Sequence, residues 1–304
     1  MARGGGAYEI LEINDGGGIR AAWPNVYSKR DGAKHVSMPA LTQKLGILFA
    51  PSAARPVQAQ SKNQRRTTEL IEQLGDTASF HQNFHENFTD WLPFYWQGYT
   101  QTTRYTYVLG DISDLTSVWN GMRPNHRRDI QRATRLGIRI IDSLDIAKFL
   151  ELNRKTFTRQ GREPLASDEL ILRLDRACSA NAGRKIFAGV DSQGRIHAAV
   201  YIAWSNDTAY YLVGGERTES SQEQRPVAGT LGSSDFRQLR RETVRLRGFH
   251  AASGGARLSR SGAGQLPYSS ITKVPPAPTS LSGFLRASIR FRWNRARRTI
   301  ANRF

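Results

Sequence analysis

The sequence has little cysteine and no long apolar segment. Cys178 is the only cysteine among the 304 residues, and a single cysteine cannot form an internal disulfide, which excludes a disulfide-stabilised secreted scaffold. No apolar run approaches the ~18–20 residues that a membrane-spanning helix needs. Residues 1–6 are not followed by the apolar stretch of a signal peptide. We therefore expect a cytoplasmic protein without a transmembrane segment.

The motifs of several common cofactor sites are also missing. The sequence contains no GxGxxG after a strand pattern, no P-loop, no HExxH and no pair of CxxC motifs. These motifs supply the groups that bind dinucleotides, nucleotide phosphates and zinc. Their absence argues against dehydrogenases, P-loop enzymes and zinc enzymes, and we predict no metal site.

Acidic residues become scarce toward the C-terminus. The whole chain has a formal net charge of +18. Residues 217–304 hold 17 basic and 4 acidic residues, and no acidic residue follows Glu242. Residues 1–216 are nearly balanced, with 27 basic and 22 acidic residues. Basic segments bind nucleic acid, phosphates or anionic lipid, so any such function is expected of the C-terminal third alone.

The rest of the sequence mixes helical and strand patterns. Apolar alternation at 8–13 and 19–27, around a glycine-rich turn, predicts a β-hairpin. Strand patterns at 185–190, 195–204 and 208–213 predict an antiparallel meander, which follows two capped helical patterns. Helices combined with an antiparallel meander predict an α+β fold rather than a doubly wound parallel sheet.

Four stretches carry a resemblance to a known family. They are residues 38–46 (MPALTQKLG), 80–96, 101–107 with 125–130, and 197–201 with 210–215. In this order they resemble the FemAB-like branch of GNAT-fold acyltransferases, which includes CelD-like proteins and the BioF-type acetyltransferase domain. The resemblance implies an α+β, GNAT-like fold with two tandem lobes and mixed, mainly antiparallel sheets flanked by helices.

The resemblance also implies how the chain is divided. Residues 1–100 correspond to an N-terminal GNAT-like lobe that is truncated at its start, and residues 101–275 to a C-terminal acyltransferase lobe. Residues 276–304 correspond to a basic amphipathic C-terminal helix, whose apolar stripe begins at Leu281.

The chemistry implied by the family is transfer of an acyl group. An acyl group, expected to be acetyl, is held on coenzyme A beside an amine or hydroxyl acceptor, and positioning supplies much of the rate. A backbone N–H near a splayed strand stabilises the oxyanion, and a helix N-terminus binds the diphosphate. We therefore expect acetyl-CoA as co-substrate, no metal, and a small-molecule or envelope-precursor acceptor, such as an exopolysaccharide unit.

Two tyrosines and two glycines are the candidates for catalysis and donor binding. Tyr201 and Tyr211 are candidates to act as an acid or to orient the acceptor; packing in the sheet is the alternative. Gly214 and Gly215 either mark the turn into the phosphate-binding helix or form a plain turn.

Six polar residues are candidates for substrate binding. Three are expected to line the cleft between the lobes, with the bracing of a loop as the alternative: Gln43, Asn83 and His85. Three others begin a helix and are expected to grip a phosphate or carboxylate, with a solvated helix face as the alternative: Asn125, Arg127 and Arg128.

The resemblance is interrupted after Gly215. The family's next helix carries Leu-Trp-Glu-Ala and its next strand reads Arg-Phe-Asp-Phe-Glu-Gly-Ser, but residues 225–260 are rich in Arg, Gly and Ser instead. A reading frame shifted by one nucleotide permits both missing motifs, so we hypothesise that residues 225–260 are out of frame; the alternative is a divergent basic loop. Loss of an interior strand leaves backbone groups unpaired, and the chain is predicted to be unstable or inactive.

Two other functions stay open. Peptide-bridge relatives use aminoacyl-tRNA as donor, and salt-sensitive tRNA binding would favour that reaction here. The second is a catalytically inactive protein that binds RNA or a membrane surface peripherally through residues 280–304.

Overall fold

The computed structural model describes residues 6–110, 112–205, 208–216, 245–247 and 262–273. Its strands are β1 Ala7–Asn14, β2 Ile19–Arg30, β3 Ala33–Val36, β4 Leu48–Phe49, β5 Ser79–Asn83, β6 Thr100–Leu109, β7 Arg139–Ile141, β8 Arg184–Val190, β9 Ile196–Ser205, β10 Thr208–Glu216, β11 Arg245–Arg247 and β12 Gly264–Lys273. Its helices are α1 Pro56–Leu74, α2 Leu92–Trp96, α3 Leu115–Gly121, α4 Pro124–Arg135, α5 Ile146–Arg159 and α6 Asp168–Ala180.

The described strands form one mixed sheet. Its order is β1-β2-β3-β5-β12-β6-β11-β10-β9-β8-β7, and β4 pairs with β2 beside this path. Only the pairs β3/β5 and β10/β11 are parallel among the described strands. The α+β class, the mainly antiparallel sheet and the meander formed by β8, β9 and β10 are confirmed.

An aromatic core fills the first half of the sheet. Strand alternation turns Trp23, Phe80 and Phe84 toward one face, where they pack with Phe94 of α2. The apolar face of α1 closes this core, and the helix ends at Gly75, whose φ is 69°.

The second half of the sheet has a core on each face. One, the α5-side core, contains Phe149, Ile186 and Tyr201. The other, the α4-side core, contains Phe187 and Val200. Adjacent residues of β8 and β9 enter opposite cores because side chains alternate along a strand. Helices α5 and α6 thus cover one face of the meander, and α3 and α4 the other.

Strand β12 joins the two halves of the sheet. It pairs with β5 on one side and along its whole length with β6 on the other. On the far side of β6 lies β11, which pairs antiparallel with β6 and parallel with β10. The expectation that an interior strand is missing is wrong at these three residues, because all three pair with β10 and residues 246–247 also pair with β6.

Two predicted features lie outside the described residues. They are the remainder of the segment 225–260, where the frame hypothesis applies, and the basic amphipathic segment within 276–304. Within the part of the chain that is described, no helix is long and apolar enough to cross a membrane.

Candidate functional site

Strand β10 is irregular just beyond its described pairing with β11. The three described residues of β11 pair in parallel with residues 208–210 of β10. Immediately beyond, a bulge shifts the register of β10 against β9 between Tyr211 and Val213. A bulge bends a strand and changes the direction of its backbone groups. The backbone of β10 therefore changes direction just after Tyr210.

Helix α5 contacts β10 beyond this bulge. The amide of Asn153 donates to the carbonyl oxygen of Gly214 at 3.0 Å. The hydroxyl of Thr156 accepts from the backbone N–H of Glu216 at 2.8 Å and lies 3.0 Å from its carbonyl oxygen. The carbonyl group of Gly214 and the backbone N–H and carbonyl groups of Glu216 are consequently engaged by α5.

Both candidate glycines are required by close packing. A Cβ on Gly214 would overlap the hydroxyl of Tyr211, and a Cβ on Gly215 would lie 3.1 Å from the backbone of α5 at Leu152 and Asn153. Neither position has room for a side chain without movement of its neighbour. The two glycines lie beside the bulge, and their role toward a donor stays a prediction.

Tyr201 lies in the α5-side core rather than at the bulge surface. It is 2% exposed, and its hydroxyl donates to Asp175 at 3.1 Å. Burial, and then the charge of Asp175, raise the pKa of the phenol well above its ordinary value. Asp175 also pairs with Arg184 at 2.9 Å. This position favours a structural role for Tyr201 over a catalytic one.

A loop from the first half of the sheet reaches the bulge. The amide of Gln43 donates to the carbonyl oxygen of Tyr211 at 3.1 Å. Two residues earlier, Leu41 has a φ of +63° in a turn closed by Thr42 N–H and the Pro39 carbonyl, and it packs against the α5-side core. A residue that has a Cβ is strained in the left-handed region of backbone conformation. The packing of Leu41 therefore holds the loop in this conformation.

Gln43 has one amide atom that is not used. Its Oε1 is buried and receives no hydrogen bond from any of the described residues. A buried polar atom without a partner is costly. An N–H or O–H group of a ligand beside Tyr211 would satisfy it.

Asn83 and His85 lie beneath the same loop. The backbone N–H of Leu45 donates to the carbonyl oxygen of Asn83 at 2.7 Å, and that of His85 donates to Leu45. The side-chain amide of Asn83 lies 3.5 Å from the carbonyl oxygen of Gln43. The structure thus brings Gln43, Asn83 and His85 together around this loop, with His85 partly exposed at the margin; their role in substrate binding stays a prediction.

A buried ion pair follows Gln43 in the loop. Lys44 and Glu86 are paired at 2.5 Å, with side chains 5% and 10% exposed. Burial opposes the charge of Glu86, but the hydrogen bond and charge of Lys44 outweigh it, so the pKa of Glu86 is lowered. The Lys44 ammonium also lies 5.0 Å from the ring centre of Tyr268. Sequence patterns gave no sign of this pair because its members come from different segments.

The three candidates on α4 lie elsewhere. Arg127 donates to the carbonyl oxygens of Trp119 and Asn120 at 3.3 and 3.0 Å and thereby holds the end of α3. Asn125 and Arg128 are exposed. Helix α4 packs on the α4-side core through Ile130. No described contact joins these residues to the loop of Gln43.

The comparisons with known proteins agree with this architecture. Residues 120–229 match the acetyltransferase (GNAT) domain family. No curated protein of known function matches the chain in sequence. Among the described residues, no group of three or more His, Cys, Asp or Glu side chains is arranged to hold a metal ion.

Solved structures show the same fold at low sequence identity. FemX superposes with a TM-score of 0.63 at 10% identity, over 87% of this chain and 88% of FemX. The C-terminal domain of a putative lysylphosphatidylglycerol synthetase from Agrobacterium fabrum gives 0.54 at 11%, over 83% and 81%. A tandem GNAT protein from the clavulanic acid biosynthesis pathway gives 0.51 at 13%, over 92% and 86%.

Proposed function

We propose, from the premise that residues 120–229 belong to the GNAT acetyltransferase family within a FemX-like fold, that the protein transfers an acyl group from a coenzyme A thioester to an amine or hydroxyl. The acceptor is a small molecule or an envelope precursor, and the expected donor is acetyl-CoA. The observation that carries the proposal is that Gln43 lies against the β10 bulge, and that its buried amide oxygen accepts no hydrogen bond from the described residues.

Each part of this site has a role in the reaction. The N–H or O–H group of the acceptor donates a hydrogen bond to Oε1 of Gln43. This hydrogen bond directs the lone pair of the acceptor nitrogen or oxygen toward the thioester carbonyl. The new bond to carbon forms as the carbon–sulfur bond breaks, and the acceptor proton leaves to solvent or to the thiolate. Backbone N–H groups at the bulge stabilise the oxyanion, while Gly214 and Gly215 keep α5 close behind them.

The test is acceptor-dependent release of free thiol from acetyl-CoA. We expect release with at least one primary amine, and we expect Gln43→Leu to lower kcat/KM by about tenfold or more, the order of one lost polar contact in a buried site. Gln97→Leu, an exposed glutamine after α2, is the matched control. Absence of acceptor-dependent release with acetyl-CoA and other acyl-CoA donors would overturn the proposal.

One observation favours a second candidate, in which the donor is aminoacyl-tRNA. An extended pantetheine arm bound along β10 would need free backbone groups, but those at Gly214 and Glu216 are engaged by α5. A donor that brings its ester only to the bulge needs no such edge. This candidate predicts tRNA binding that weakens steeply with salt, together with transfer of a labelled amino acid and no thiol release.

A further inference from the structure

We infer that the polar face of β5, β12 and β6 binds an oxyanion of the acceptor, a carboxylate or a phosphate, through the guanidinium of Arg104. The inference rests on the proposed function, since it concerns the acceptor of the same reaction. Arg104 lies in the stretch 101–107 that carries the family resemblance, but it is not among the candidate site residues predicted from the sequence.

Strand pairing places Arg104 in a continuous polar face. Arg104 of β6 lies opposite Tyr268 of β12, and Ser270, two residues further along β12, lies opposite Asn83 of β5. The hydroxyl of Ser270 lies 3.3 Å from Nε2 of His81. Residues two apart on a strand share a face, and the alternate residues Phe80 and Ile271 enter the aromatic core. The polar face is therefore the side of the sheet that carries Asn83.

Arg104 brings a positive charge to this face without a carboxylate to balance it. Its side chain is partly buried and hydrogen-bonds the phenol of Tyr268, which is 6% exposed. No carboxylate of a described residue pairs with Arg104, whereas Lys44, which lies over the ring of Tyr268, is paired with Glu86. His81 adds no counter-charge: burial, then the charge of Arg104, lower its pKa.

A partly buried cation of this kind is stabilised by an anionic ligand. The planar guanidinium offers a fork of N–H donors that matches the two oxygens of a carboxylate or phosphate. The hydroxyls of Tyr268 and Ser270 lie on the same face, where Tyr268 hydrogen-bonds Arg104 and Ser270 contacts His81.

The face is directly connected to the acyl-transfer position. Lys44 covers Tyr268, and the preceding residue, Gln43, contacts Tyr211 at the bulge. The contacts run from Arg104 through Tyr268 and Lys44 to Gln43, so we infer that an acceptor held at Arg104 directs its amine or hydroxyl toward Gln43. The geometry thus fits an acceptor that carries both a nucleophile and an oxyanion, as an amino acid, a peptide or a phosphate-bearing headgroup does.

The experiment measures binding by NMR titration without any donor, so it is independent of turnover. Two pairs of probes differ only in the oxyanion: glycylglycine against glycylglycinamide, and O-phosphoethanolamine against ethanolamine. For the wild-type protein we expect the anionic member of at least one pair to bind about tenfold tighter. The preferred pair distinguishes a carboxylate ligand from a phosphate ligand.

Variants assign the preference to Arg104. We expect Arg104→Gln to abolish the preference, Arg104→Lys to keep part of it, and Arg173→Gln, which removes an exposed arginine of α6, to leave it intact. A thermal melt of each variant confirms folding. The inference is overturned if the wild-type protein shows no preference in either pair, or if folded Arg104→Gln keeps it. If no thiol is released while the preference for the anionic probe is present, the proposed function is rejected and the anion site is retained.

Discussion

The surroundings of Tyr201 favour a structural role for this residue over the catalytic role considered from the sequence. The phenylalanine variant Tyr201→Phe loses the hydrogen bond to Asp175 and leaves a buried carboxylate with Arg184 as its remaining strong partner. We expect the free energy of unfolding to fall by about 1 kcal/mol, with kcat/KM for acyl transfer unchanged. Urea unfolding and the thiol assay measure the two quantities, with the exposed Tyr8→Phe as control. A stable variant that lost turnover would restore the catalytic role.

Asp191 gives the protein a defined dependence on pH. Its carboxylate bonds His197 at 2.9 Å and Arg195 at 2.7 Å, as well as backbone N–H groups of the β8–β9 turn. The bond to His197, and then those to Arg195 and the turn, lower the pKa of Asp191 against the effect of burial. Because the folded-state pKa is depressed, this stabilisation is complete above the unfolded value of about 3.9 and is lost as the pH falls below it.

The variant Asp191→Asn tests this dependence. Its amide oxygen can still accept from the turn N–H groups, so chiefly the charge-dependent bonds are lost. We expect a lower urea midpoint than wild type at pH 7 and a difference that shrinks as the pH is lowered to about 3. Asp76→Asn, an exposed position after α1, is the control. A difference of equal size at both pH values would contradict the assignment.

At the scale of elements, the contact of α5 with the β10 bulge is the most constrained packing near the site. Gly214→Ala places a methyl group against the hydroxyl of Tyr211, and we expect it to destabilise the fold by about 1–3 kcal/mol. In a Tyr211→Phe background the added cost should be smaller, because the overlapping atom is gone. Gly215→Ala is the matched control: its methyl group meets the backbone of α5, so Tyr211→Phe should give no relief. Equal costs in both backgrounds would argue against this geometry.

The elements differ in how far their sequences reveal them. The meander was predictable because turn residues and period-two apolar patterns coincide at β8, β9 and β10. The first half of α1 was not, since residues 56–65 are mainly polar and show no apolar face. Gln43 and Asn83 became candidates through the family resemblance, and their role in substrate binding stays a prediction. Arg104 was missed because polar residues that alternate along a strand are typical of any solvent-facing sheet, and only the pairing with β12 gives this face its composition.

For the whole molecule, the central position of β12 predicts strong cooperativity between the two halves of the sheet. A chain that ends at residue 263 lacks β12, which leaves edge groups of β5 and β6 unpaired and removes Ile271 from the aromatic core. We expect this chain to lose its cooperative thermal melt, because unpaired backbone and uncovered apolar surface are both costly. A chain that ends at residue 273 keeps every described element and is the control. A cooperative melt of the shorter chain near the wild-type midpoint would contradict the prediction.

The place of β12 also bears on how the protein is made. Strands β5 and β6 leave the ribosome early, yet the strand that lies between them ends only at Lys273. Translation proceeds at roughly 5–20 residues per second. The edges of β5 and β6 that pair with β12 therefore stay unpaired, and exposed to other nascent chains, for on the order of 10–30 s. Such edges are templates for association. Slow translation across residues 110–260, or the lack of a chaperone, should therefore reduce the yield of folded protein more than its final stability.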